Sequence, residues 1–319
     1  MFWCRKHGVY NPIFLFLKMS WKTVIIENAD KVSLFLDSLV VTKNEIPRQF
    51  PISDLNCVIF QDYRSTVTTR ILNKLAINSV MVVFCDVDLM PTSILNPIEA
   101  HHLQFKIIKE QINWKIETKR ELWSKIVKQK IESQLEILEE NNKSAIKVEM
   151  LRGYIKEVQP GDVSNREGHA AKVYFNELFG NEFARSQDNI INAALNFGYT
   201  VIRSAFSRTI VAKGLHPSIS LFHSNQYDAF ALADDLMEPF RPVIDDFVYK
   251  NYQEWEYFGK EQKQALVNLL NVQINFDGKD VFLTSAINRY VDNVINYMES
   301  GEIDYLVFPY LEHIQYYEL

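Results

Sequence analysis

Hydrophobic and polar positions follow two different rhythms along this chain, and the change falls between Pro91 and Pro97. Up to Ser93 the apolar residues come in short runs rich in Val, Ile and Phe: Thr23 to Glu27, Val32 to Leu36, Ser38 to Thr42, Val58 to Phe60 and Val80 to Phe84. Asn28-Ala29-Asp30, Asp37 and Lys43-Asn44 break them. Branched and aromatic side chains suit a half-buried pleated surface, so each run predicts a strand. Thr66 to Ala76 is the exception, with Val67, Ile71, Leu72 and Leu75 at helical spacing. The two prolines mark the exit from this region.

Beyond Pro97 a step of three and four residues takes over. Phe105, Ile108, Ile112, Ile116, Leu122 and Ile126 form one apolar stripe, which predicts a single long amphipathic helix. The same periodicity recurs around 144–157, 165–178, 185–205, 236–250, 260–274 and 280–299, with Gly153, Gly161, Gly180, Gly214 and Gly259 between or near the ends. The expected fold class is α+β: a small β-rich N-terminal domain over 19–93, then a larger all-α domain over 94–319 that carries the chemistry. Residues 1–18, MFWCRKHGVYNPIFLFLK, stand apart. Their apolar core, Pro12 to Leu17, is shorter than the ~7–15 residues of a signal-peptide core and far below the ~20 that span a membrane. The expectation is a non-native upstream extension, with Met19 as the natural start and no membrane segment anywhere.

Composition narrows the function classes. At 319 residues, 47% hydrophobic and 23% charged, the chain can build a core without disulfides or metal. Its three cysteines, Cys4, Cys57 and Cys85, have no metal-ligand spacing and fit a reducing cytoplasm. A net charge of −6 excludes a protein coated in positive charge, so any nucleic-acid binding rests on local patches. One such patch runs from His101 to Lys130, where eight Lys or Arg face three Glu for a net +5. A solvated helix with faces of mixed sign is the plainer reading.

The candidate chemistry lies in two acidic stretches. Glu167 stands in EGHAAKVYF, ahead of small residues that let another backbone pack close; Asp234, Asp235 and Glu238 stand in LADDLMEPFRP beside Arg241. His223 lies between them, with His216 as a rival. Acids plus one imidazole suit a hard divalent cation, magnesium or manganese, and hence phosphodiester chemistry. Each acid also has a structural explanation. Ser164-Asn165-Arg166-Glu167 and Asp235-x-x-Glu238 both resemble capping boxes, and His223 follows apolar residues that a core histidine would share. Ala170, Ala171 and Tyr174 favour the functional reading of Glu167, because they share its helix face and would set the carboxylate against a neighbouring helix. Arg203, Arg208, Lys213 and Arg241 are candidates to clamp phosphates, or to pair with the acids.

These stretches resemble the CRISPR adaptation integrases, in the form found in type II systems. The resemblance is carried by SNREGHAAKVYF at 164–175, DNIINAALNFGYTVIRS at 188–204, AKGLHPSISLFHSN at 212–225 and ADDLMEPFRPVIDDFV at 233–248, with WKTVIIENADKVSLFLDSLVV at 21–41. It implies that Glu167, His223 and Glu238 hold Mg²⁺ or Mn²⁺, with Asp235 supporting them, and that a DNA 3′ hydroxyl attacks a phosphodiester. It further implies binding of double-stranded DNA, through Lys115, Lys119 and Arg120 as well as the clamps, a homodimer, and a small ferredoxin-like adaptation partner. Phe222 and Ser224 depart from the subgroup, whose members often carry His and Arg there. Transesterification conserves bond energy, consistent with the lack of a P-loop pattern. The alternatives are a non-catalytic DNA-binding scaffold of the same assembly and a metal-dependent phosphohydrolase of small substrates.

Overall fold

The computed structural model describes residues 22–315 except 63, 87–90, 96–102 and 224. The expectations for residues 1–18 and for Ser224 fall outside the described residues. The N-terminal region contains β1 (Lys22–Ile26), β2 (Lys31–Phe35), β3 (Ser38–Lys43), β4 (Ile46–Pro51), β5 (Leu55–Phe60), β6 (Thr66–Val67), α1 (Thr69–Ile77), β7 (Met81–Cys85) and β8 (Pro91–Leu95). They form two four-stranded sheets, ordered β1-β5-β7-β8 and β4-β3-β2-β6. In the first, β1, β5 and β7 run parallel and β8 antiparallel. Strand β4 was not expected, because Pro47 and Pro51 interrupt it; it lies at a sheet edge, where missing N–H donors are tolerated.

Period-two alternation makes the first sheet a shared wall. Val58, Phe60 and Val82 join the small core with Ile71 and Leu75 of α1, while Cys57, Ile59, Met81 and Val83 belong to the core of the helical region. The β-rich and helical parts are therefore continuous through one sheet.

The remainder comprises α2 (Gln104–Ile112), α3 (Ile116–Glu140), α4 (Ala145–Glu157), α5 (Arg166–Phe179), α6 (Ile190–Ala212), α7 (Ala231–Leu236), α8 (Arg241–Asn251), α9 (Lys260–Asn268), β9 (Gln273–Phe276), β10 (Lys279–Phe282), α10 (Leu283–Ser300) and β11 (Pro309–Gln315). The long helix expected from Phe105 onward is two helices. It breaks where the Asn113 side-chain carboxamide donates back to the Lys109 carbonyl at 2.7 Å, and where Gln111 is tied to the 216–219 turn through the carbonyls of His216 and Ile219. The C-terminal region is helical apart from a three-stranded sheet, β10-β9-β11. Its hairpin turns at Asp277-Gly278, both at positive φ, a two-residue signal present in the sequence. No helix among the described residues is long and apolar enough to cross a membrane.

Helix α3 is the axis of the helical region rather than a solvated face. From Leu122 onward most of it is buried, including the polar Gln129, Lys130 and Gln134. Gln129 and Glu136 bind the backbone of β11, at 3.1 Å to the Pro309 carbonyl and 3.0 Å from the Leu311 amide. Helices α4 and α5 and the segment 231–251 pack around it.

Candidate active site

Glu167 is available for chemistry because other residues cap its helix. Asp162 accepts the amides of Arg166 and Glu167 at 2.9 and 3.0 Å, and Asn165 accepts that of Gly168 at 3.3 Å. A side chain at Gly168 would stand 2.8 Å from the Asn165 carboxamide, so the cap requires glycine there. The capping box expected of Ser164 and Glu167 is absent: the Ser164 hydroxyl accepts from Arg166 Nε instead. Ala170 and Tyr174 are buried as expected, and Glu167 reaches Lys130 Nζ on α3 at 2.6 Å.

The second acidic stretch forms α7, a single 3₁₀ turn from Glu238 to Phe240, and then α8. Neither acid caps a helix. Asp235 is wholly buried, and its Oδ2 accepts the amides of Leu221 and Phe222 at 2.7 and 2.9 Å. Its Oδ1 takes the His223 amide at 3.3 Å and meets His223 Nδ1 at 2.5 Å. One carboxylate thus fixes both the loop and the ring, leaving Nε2 as the nitrogen for a ligand. Trp123 completes the seat: Phe222 stacks on it at 4.6 Å, and the His223 ring meets it edge-on at 5.4 Å. The bond from Asp235 raises the His223 pKa against partial burial, and the charges of Asp235, Glu238 and Glu167 add to it. His216 is exposed, and its ring contacts Ser218.

Glu238 and Glu167 meet on a single cation. Lys130 Nζ lies 2.5 Å from Glu238 Oε2 and 2.6 Å from Glu167 Oε1. The Glu238 contact is an ion pair rather than an aligned hydrogen bond. Burial works to raise the Glu238 pKa, but Arg241, with Nε 3.0 Å from Oε1, and Lys130 outweigh it and hold the carboxyl below its usual value. Burial likewise works against the ammonium of Lys130, and the two glutamates reverse the effect. The three predicted ligands therefore share one neighbourhood, but among the described residues no three His, Cys, Asp or Glu side chains converge as a ready coordination shell. Two carboxylates already sharing a cation, beside an imidazole oriented by a third carboxylate, form an oxygen-rich donor set that fits Mg²⁺ or Mn²⁺.

Beside this cluster opens a cavity of about 390 Å³, whose lining includes Glu238, His223, Asp234, Arg185, Arg203 and Arg241. Arg203 and Arg241 line it and lie 3.7 and 4.0 Å from Asp234, the pairing with an acid that the sequence left open. Burial raises the Asp234 pKa to about 6 despite them. Arg208 and Lys213 do not line the cavity. Five residues along α6 from Arg203 is a rotation of about 140°, which turns Arg208 toward Cys57 of the β-rich region. Lys213 pairs with Asp292 of α10 at 2.6 Å. Lys115 and Arg120 are exposed at the start of α3, while Lys119 is half-buried within the field of Asp235.

Sequence reasoning missed two residues. Lys130 was counted as part of a basic stretch, although the α3 stripe running through Trp123, Val127 and Gln134 carries it inward. Arg185, at the start of the helix expected over 185–205, lies instead in the loop before α6, which begins at Ile190; it donates to Asn192 and, at 2.6 Å, to Asn196, with its guanidinium 5.4 Å from the Tyr199 ring centre.

Residues 23–268 match the family model described as CRISPR associated protein Cas1. The CRISPR-associated endonuclease Cas1 of Neisseria meningitidis serogroup C (strain 8013) is 34% identical over 86% of this chain and 91% of its own length. A Cas1 protein from Thermotoga maritima superposes with a TM-score of 0.73 at 16% identity, over 88% of this chain and 97% of that one. A casposase bound to integration product gives 0.72 at 18%, over 88% and 91%, and a chain of a Cas6-RT-Cas1–Cas2 complex gives 0.72 at 15%, over 95% and 37%; these three likenesses are of fold. On the strength of the family model and the meningococcal relative, the chain belongs to the Cas1 family of CRISPR-associated proteins.

Proposed function

We propose that the protein is a divalent-metal-dependent DNA endonuclease and integrase that inserts captured foreign DNA into a CRISPR array. One observation carries this reading: Glu167 of α5 and Glu238 of the 238–240 turn share a cation beside a histidine oriented by Asp235, with Glu238 and His223 lining an arginine-bearing cavity. Glu167, Glu238 and His223 Nε2 would hold Mg²⁺ or Mn²⁺. When bound, the ion supplies Lewis-acid polarisation of the scissile phosphoryl group. Asp235 keeps the imidazole in the tautomer that leaves Nε2 free, and Trp123 and Phe222 restrict the ring. Arg185, Arg203 and Arg241 supply positive charge where a phosphodiester enters the cavity, and guanidinium forks suit that geometry. With the phosphate so held, a DNA 3′ hydroxyl displaces the 3′ oxygen of the repeat strand: one P–O bond forms as another breaks, with no net change in bond count.

Double-stranded DNA, a second copy of this chain and a small ferredoxin-like adaptation partner complete the reading. The likeness to a chain of a Cas1–Cas2 complex supports an adaptation partner. The test is joining of short duplexes to a repeat-bearing plasmid in Mn²⁺ and in EDTA. Ion-dependent joining that is lost in Glu167→Gln and Glu238→Gln, with folding intact, supports the reading. A scaffold would bind the DNA and leave the plasmid unjoined.

A further inference from the structure

Lys130 is the only charged side chain among the buried residues of α3, and an ammonium is costly to bury without anions. It lies on the inward stripe with Trp123, Val127 and Gln134 and contacts one oxygen of Glu167 and one of Glu238. Without it, Glu238 would keep only Arg241 and no cation would lie between it and Glu167, so that repulsion between the two carboxylates would push α5 and the 238–240 turn apart.

A divalent ion entering between those carboxylates would compete with the ammonium for the two oxygens that face each other across it. It would take them at about 2.0–2.1 Å for magnesium, shorter than the 2.5 and 2.6 Å at which the ammonium sits. An ammonium and a divalent ion held by one anion pair at that range repel, so each weakens the hold on the other. Lysine suits such an exchange, since its compact charge rides on a flexible four-carbon stem.

We propose that Lys130 is a built-in counter-ion: it holds Glu167 and Glu238 in a cation-ready arrangement while the site lacks metal, and it competes with the divalent ion for the same two oxygens. The inference rests on the reading of these glutamates as metal ligands. It makes Lys130 a positioning residue that restrains metal loading until its ammonium moves away from the glutamates.

The test uses the full-length protein with MnCl₂ as the probe, at a pH near 7.5. Mn²⁺ affinity is measured by calorimetry and Tm is measured in EDTA and in saturating Mn²⁺, for wild type, Lys130→Met and Lys130→Gln. Removing the competing charge should tighten Mn²⁺ binding by at least about tenfold, given the strength of charge repulsion at such separations. Tm should fall in EDTA and recover largely in Mn²⁺. Should Lys130→Met fail to fold, Lys130→Gln, which keeps length and polarity without charge, gives the same comparison. Unchanged or weaker Mn²⁺ affinity, or an equal loss of Tm with and without the ion, overturns the inference and leaves the metal site standing. If wild type binds no Mn²⁺ in a manner that Glu238→Gln abolishes, the metal reading fails and takes the inference with it.

Discussion

Asp235→Asn tests most sharply whether the histidine is held for a purpose. Asp235 is wholly buried and contacts four nitrogens: the amides of Leu221, Phe222 and His223, and His223 Nδ1. Placing the asparagine oxygen where Oδ2 stood keeps the first two bonds, but each drops from about 1.5–3 to about 0.5–1.5 kcal/mol on losing the acceptor's charge. The new NH₂ then faces the His223 amide, an unsatisfied donor pair that costs about 1–3 kcal/mol. The sum is about 3–6 kcal/mol, or roughly 5–9 °C in Tm for a protein of this size. The imidazole can still accept from the new amide at Nδ1, but it then carries its proton on Nε2, the wrong tautomer for a ligand. Joining should therefore fall about 10–100-fold. Thermal unfolding and the plasmid-joining assay read the two effects separately. A variant that keeps wild-type joining, or whose Tm stays within about 2 °C, would refute the assignment of Asp235 as the residue that positions His223.

Neutralising Lys115, Lys119 and Arg120 together should weaken binding to unrelated duplexes alike and lower the salt slope by up to about 3, since phosphate contacts carry no sequence information; unchanged affinity at moderate salt places the DNA surface elsewhere. Asp245 is buried, and burial pushes its pKa to about 7 although Tyr199 donates to it. Its protonated form is the one the fold favours, so its contribution is present below the unfolded value near ~3.9 and is lost as pH rises toward 7. Asp245→Asn should remove a few kcal/mol of that decline between about pH 4 and 7, checked by urea unfolding across pH; an unaltered slope rejects the shift. Gly198 lets α6 approach α8, and an added Cβ would stand 2.5 Å from Ile244 Cγ2. Gly198→Ala should cost about 1–3 kcal/mol, with partial recovery in the double variant with Ile244→Val, as double-mutant unfolding would show.

The sequence by itself determined the order of classes, β-rich and then helical, because strand and helix periods are local properties of ten or so residues. It also singled out residues that the fold brings into one neighbourhood: Glu167 and Glu238 on Lys130, His223 on Asp235, and Arg203 and Arg241 beside Asp234. It carried the Asp277-Gly278 hairpin too, although a helical periodicity over the neighbouring residues masked that signal.

Only the tertiary structure showed that neither Glu167 nor Asp235 and Glu238 close a capping box. A capping box and a ligand look alike in a string, and at Glu167 the capping box is set aside because Asp162 and Asn165 satisfy the helix amides first. The break at Asn113 depends on a bond from Gln111 to a turn more than a hundred residues away. Lys130 is the clearest case, because its spacing on α3 fits a basic surface as well as an inward stripe. Burial by segments distant in the chain, and two glutamates brought from α5 and the 238–240 turn, turn a surface-type residue into the cation at the centre of the site. Such a role is a property of three chain segments meeting, and no one of them encodes it alone.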